Sequence, residues 1–370
     1  MLRGMTWDHP RGFDPLSAAS TLWEQQTGQA ISWDRRSLQD FETYPVEDLA
    51  RRYDLIVIDH PHVGQVAETG CLLALDERID AAALAEIAAG SVGGSFESYR
   101  WAGHQWALPI DAAAQVQAWV PDRIAAPVAR WDDLALLAAS GRAALPLRPP
   151  HSLMSLFTLC GLLGVELDGT GNTLFPSGAV RAFALLDGLA AGLDPAVYEM
   201  DPIAMLEEMA RPGATLAVVP LVYGYVSYAV AGFRAHAIHF ADVPTMAFGP
   251  RGSALGGTGI AVSAFGADPA AASRFAAWIS SGAAQRNLVA GRGGQPAHAA
   301  AWESDSANAM SHNFYRATRA TLDGAWMRPR HRGYMAFQDA ASERLNAALR
   351  RRESADDAIA ALNQLYGVSR

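Results

Sequence analysis

Over the first hundred residues the apolar positions switch between a two-residue period and a period near 3.6, which predicts strands alternating with helices. Leu2 to Trp7 reads as a strand, and Pro15 to Gln26 as a helix that Asp14 is placed to cap and Gly28 to end. Ala30 to Trp33 reads as a second short strand and Val46 to Arg52 as a helix. Tyr53-Asp54-Leu55-Ile56-Val57-Ile58 is an apolar run of the kind buried on both faces of a parallel sheet. The alternation predicts parallel strands joined by helical crossovers, an α/β fold.

The pattern changes at Leu108-Pro109-Ile110-Asp111, which reads as a crossing between lobes, followed by a strand from Gln115 to Val120. A second α/β unit is predicted beyond it. Its parts are a strand from Ala143 to Leu147, helices over Met154 to Leu163 and Ser177 to Ala191, and a buried strand over Thr215 to Val219. Ile238 to Pro250 reads as an extended return and Gly259 to Ser263 as a strand. Pro269 to Ser281 and Ala283 to Val289 read as helices, and the tail from Ser342 to Leu365 as two helices parted near Glu353-Ser354. A chain of 370 residues exceeds one typical core of roughly 100 to 200 residues, so two lobes are expected.

Composition narrows the classes. Half the residues are hydrophobic and 18% charged, as in an ordinary folded protein, and the net charge of −9 argues against a nucleic-acid or anionic membrane surface. No stretch approaches the ~20 apolar residues that span a bilayer. Cys71 and Cys160 form no zinc or redox spacing and read as buried thiols. The opening residues carry no apolar signal core, so either an export signal was removed or the protein works inside the cell.

The succession of several segments resembles the bacterial extracellular solute-binding proteins, the family that includes the maltose-binding protein. They are the opening strand ending in Trp7-Asp8-His9-Pro10, the Asp54 to Asp59 strand and the crossing Trp106 to Asp111. Pro220-Leu221-Val222-Tyr223-Gly224-Tyr225, Leu255 to Ser263 and the helix pair ending in Gln285 follow in the same order. The resemblance implies a two-lobed, type II periplasmic-binding-protein-like fold with a ligand cleft between the lobes. Lobe one would hold residues 1–111 and 251–300, and lobe two residues 112–250 and 301–370. Closure would hinge at Pro109 to Ala113, Asp242 to Gly252 and Gln295 to Ala301. The implied protein is the monomeric, periplasmic receptor of an ABC importer, with a permease as partner, a small polar solute as ligand and no cofactor.

Ligands of open α/β sheets sit beyond the carboxyl ends of the strands, and here those ends are polar. One provides Trp7, Asp8, His9 and Arg11, another Asp59, His60 and His62, and the crossing Asp111. Together they suit a hydrogen-bonding wall for a hydroxylated or carboxylated molecule; singly, each also reads as a cap, a turn residue or a satisfied histidine. By the resemblance, Tyr223 and Tyr225 stand where such receptors offer aromatic rings to a sugar face, with core packing as the alternative for these and for Tyr228. Gly257 and Thr258 lie in a Gly-rich turn that lacks the lysine of a phosphate loop, and either bring backbone N–H groups to a ligand or make a tight turn. Arg328 is shaped to pair with a carboxylate or to form a salt bridge.

The competing expectation is an enzyme, or an intracellular carrier or sensor, on the same fold. Asp8, His9, Asp59, His60 and His62 mix imidazole and carboxylate groups that could hold a divalent metal if the two strand ends meet. Against this, no H-E-x-x-H pattern occurs, and consecutive residues of an extended segment point in different directions. No G-x-S-x-G elbow is present either, so neither catalysis nor a metal site is expected.

Overall fold

The computed structural model describes residues 1–38, 45–246 and 248–370. The main strands are β1 (Leu2–Trp7), β2 (Ile31–Arg36), β3 (Leu55–Ile58), β4 (Leu108–Trp119), β5 (Val218–Tyr223), β6 (His239–Ala241) and β7 (Leu255–Val262). The helices needed below are α1 (Pro10–Thr27), α2 (His151–Leu162), α3 (Pro269–Ser280), α4 (Tyr334–Arg351) and α5 (Ala355–Ser369). The chain falls into two compact units. One comprises Met1–Ala113, Gly256–Ala309 and Arg330–Arg332, the other Ala114–Leu255, Met310–Pro329 and Gly333–Arg370.

In the first unit, β1 lies between β2 and β3 and runs parallel to both, while β7 runs antiparallel to β3, with Leu55 opposite Val262 and Ile58 opposite Gly259. Leu55, Val57, Ile260 and Val262 project from these strands into a core shared with Trp7, Leu16 and Trp23 and with Phe275 of α3. Burying each such side chain contributes about 1.5–3 kcal/mol. The short segment 330–332 is tied to this unit by Arg330, whose guanidinium donates to the carbonyls of Glu97, Ser98 and Arg100 and covers the Trp101 ring. Gly64 permits the approach, because a Cβ there would lie 1.8 Å from the Arg330 carbonyl oxygen.

In the second unit, β4 pairs antiparallel with β5 and with β6. The β4–β5 register slips between Val116 and Ala118, opposite the stretch that carries Pro220, whose missing N–H cannot serve the ladder. Helix α2 is buried along almost its whole length, and α4 packs against both α2 and α5.

Several expected elements are corrected. Helix α1 begins at Pro10, not Pro15, because His9 caps it by accepting from the Arg11 N–H; Asp14 and Pro15 lie inside it. The predicted crossing and the strand from Gln115 are one continuous strand, β4. Ala143 to Leu147 makes a single bridge, Ala143 to Val218, rather than a strand, and the strand expected at 215–219 runs instead from Val218 to Tyr223. Of the extended return expected over 238–250, only His239–Ala241 is a strand, and residue 247 lies outside the described residues. The helix expected over 283–289 is a three-residue helix, Gly282–Ala284, continued by a π turn, Gln285–Val289. The break in the tail falls where expected, with Arg352 in the left-handed region and Ser354 capping α5.

Candidate functional site

Polar groups collect at one end of the first unit's sheet. Trp7 closes β1 as a buried core side chain, its indole lying over Gly12, where a Cβ would come within 2.4 Å of the ring. Asp8, next in sequence, is exposed and pairs with Arg35 at 3.1 Å. His9 is buried as the helix cap. Arg11, two residues further along, reaches Asp111 and is buried with it. Its Nε donates to Asp111 Oδ2 at 2.7 Å, and a second guanidinium nitrogen meets Oδ1. Burial pushes the Asp111 carboxyl above its ordinary range, and the Arg11 charge opposes the rise.

Beyond the last paired residues of β3 and β7, Ile58 and Gly259, the antiparallel register carries Asp59 and Thr258 to facing positions. The Asp59 carboxylate accepts from the His60 N–H at 2.8 Å, and the buried His60 ring meets the Tyr99 ring edge-on at 6.4 Å. His62 is buried in the same short turn. Thr258 is 7% exposed and its hydroxyl finds no hydrogen-bond partner among the described residues. Gly257 adopts φ +99°, and a Cβ there would fall 2.3 Å from the Asp111 carbonyl oxygen, so only glycine fits this approach. Asp59, Asp111, Gly257 and Thr258 therefore belong to one neighbourhood. Among the described residues, no three His, Cys, Asp or Glu side chains are placed to hold a metal ion.

In the second unit, Tyr223 ends β5 with its ring edge-on to His151 at 6.2 Å. His151 opens α2 and is 3% exposed; Arg328 is 4% exposed and donates to Gln338 Oε1 at 2.9 Å. Burial drives the His151 pKa down to about 4, with Asp201 opposing and Arg148 and Arg328 adding to the fall. Tyr225 and Tyr228 are buried and pack on each other, and the Tyr228 hydroxyl donates to Glu207 at 2.7 Å. Sequence reasoning passed over His151 and Gln338. The signal for His151 was a lone imidazole behind Pro149-Pro150 at the head of an apolar helix.

Residues 48–314 match the bacterial extracellular solute-binding protein family. The chain belongs to this family. Solved structures similar to this solute-binding chain are binding proteins of the two-lobed type II class. One is a maltose-bound protein of T. maritima, with TM-score 0.83 and 16% identity over 99% of each chain. Another is an ABC transporter solute-binding protein from Agrobacterium radiobacter in complex with ribitol, with TM-score 0.81 and 18% identity, covering 98% of this chain and 96% of that one. A third is an ABC transporter solute-binding protein from Thermotoga lettingae bound with α-D-tagatose, with TM-score 0.81 and 16% identity over 100% and 99% of the two chains. At such identities the likeness establishes the fold. No curated protein sequence matches the chain significantly. Among the described residues, no helix is long and apolar enough to cross a membrane.

Proposed function

We propose that this chain is the receptor of an ABC-type importer, working outside the inner membrane as a monomer and binding a small polar solute of the sugar, polyol or small-carboxylate class. Membership of the extracellular solute-binding family is the observation that carries the reading. Support comes from the ribitol- and tagatose-bound proteins of the same fold. In the first unit we assign solute contact to Asp59, Asp111 and Thr258, and in the second to Tyr223 and Arg328. The carboxylates and the Thr258 hydroxyl suit hydroxyl groups, and an aromatic ring suits the C–H face of a sugar. Solute binding favours a closed arrangement of the two lobes, which the permease then recognises; such a shift is limited by the solute's preference for the closed form.

Isothermal titration of purified protein against sugars, polyols and small carboxylates tests the reading, with recovery of the bound molecule afterwards. One solute bound stoichiometrically and recovered intact is the expected result. A solute recovered chemically altered would replace the receptor with an enzyme, and the absence of binding across the panel would refute the proposal.

A further inference from the structure

Two histidines of the second unit lie ring on ring. His239 opens β6, and His312 stands in the turn before the helix Phe314–Asp323; their ring centroids are 4.6 Å apart, with 30° between the planes. His312 is exposed and His239 half-buried, and the Trp119 ring meets His239 edge-on at 5.2 Å. The Ala229 carbonyl accepts from His312 Nδ1 at 2.6 Å. A carbonyl can only accept, so this nitrogen carries its proton whether the ring is neutral or charged, and the bond anchors His312 in both states. The stacking is the contact that depends on charge, because two neutral imidazoles pack and two imidazoliums repel.

The turn that carries His312 is strained. His312 and Asn313 have φ of +49° and +60°, two consecutive non-glycine residues in the left-handed region, where a side chain crowds the following carbonyl. They lead into a helix whose first turn has no side-chain cap among the described residues. A helix start bears a partial positive charge, which disfavours a cation beside it. Against this strain, the histidine pair and the Phe314 ring, edge-on to Phe240 at 5.0 Å, hold the turn on β6. The chain enters the second unit here, having left the first at Ala309.

The elements around the pair carry other charged groups. After β4, Asp122 meets His236 at 3.5 Å, and Arg123 donates to the carbonyls of Met209 and Leu216. Tyr228, in the turn Val226–Ala229, donates to Glu207, which also binds Arg234. Asp242, beyond β6, accepts from Thr321, and the helix itself carries Arg316, Arg319 and Asp323, the last two paired at 2.8 Å. Burial and the His312 charge hold the His239 pKa below its ordinary 6.5, and Asp122 opposes them. Once pH falls below 6.5, an undocked His239 therefore binds a proton more readily than a docked one, and docking weakens.

We propose that the stacked pair is a pH-sensitive latch, closed at neutral pH, that releases the turn 311–313 from β6 when both rings are charged.

Hydrogen exchange of the whole chain at pH 7.5 and 5.0, corrected for the intrinsic pH dependence of exchange, tests the latch. The amides of Phe314 and Ala317, which donate to the carbonyls of Ser311 and Asn313, report release of the turn, and α2 serves as the internal control. The expected result is exchange in 311–317 faster by about tenfold or more at the lower pH, beyond any change in α2. His239→Phe keeps a ring in the stack without its charge, and His312→Asn keeps a residue suited to the left-handed turn; each should abolish that excess. A purely structural role would shift exchange equally at both pH values. Thermal melts at pH 7.5 identify a variant that does not fold, and the other variant then decides. Exchange in 311–317 that follows α2 at both pH values in the parent protein, or an undiminished excess in a folded variant, overturns the latch.

Discussion

Arg11 and Asp111 lie 100 residues apart in sequence and meet in a buried, two-pronged ion pair. Burial strips both ions of water, so the pair holds only while both members are present. Arg11→Met should lower stability by about 3–5 kcal/mol in urea denaturation, because it strands a buried carboxylate. Replacing both, Arg11→Met with Asp111→Leu, should restore most of that loss. His151 sets a pH dependence of its own. Its folded pKa is near 4, against an ordinary value of 6.5, so between these limits the unfolded chain binds a proton that the folded one does not. Stability from this residue is complete above pH 6.5 and drains away as pH falls towards 4, by on the order of 3 kcal/mol. Urea titrations at pH 7 and 4.5 should show the decline, and His151→Gln should flatten it.

At the scale of elements, local rules located most strands and helices but misjudged several ends. Asp14-Pro15 has the look of a cap followed by a first-turn proline, yet His9-Pro10 offers the same pattern five residues earlier and is the one used. His9→Ala should cost about 1 kcal/mol, the usual effect of losing a side-chain cap, measurable as a lower melting temperature. If His9→Ala melts unchanged, the cap contributes nothing to α1. The strand expected at 215–219 lies further along the chain: proline is rare inside strands, yet a slip in register lets β5 run through Pro220. Ala143 to Leu147 has the composition of a strand, but among the described residues it makes a single strand bridge, at Ala143, while the Leu147 N–H donates to the Val197 carbonyl. Strand formation requires a neighbour, and composition does not supply one.

For the whole molecule, the receptor proposal carries a thermodynamic consequence. A solute that binds only the folded chain adds stability by mass action, about 2.7 kcal/mol at a hundred times its Kd. The melting temperature of the protein should therefore rise steadily with the concentration of the true solute and stay flat with the others. A solute that binds by calorimetry yet leaves the melt unmoved at that excess would contradict this account.

Sequence alone sufficed for the α/β class and for which polar residues stand at the strand ends. Hydrophobic period and capping residues act over a few neighbours, and those neighbours are adjacent in the chain. For that reason Asp59, Asp111, Thr258 and Tyr223 were legible as candidates at the ends of strands or at turns. Tertiary structure alone decided that Asp111 answers Arg11, that its carbonyl crowds Gly257, and that Trp7 goes into the core. It also decided that His151 opens a buried helix within the electrostatic reach of Arg328. Those outcomes depend on which distant segments the folded chain brings together, and local periodicity carries no record of that choice.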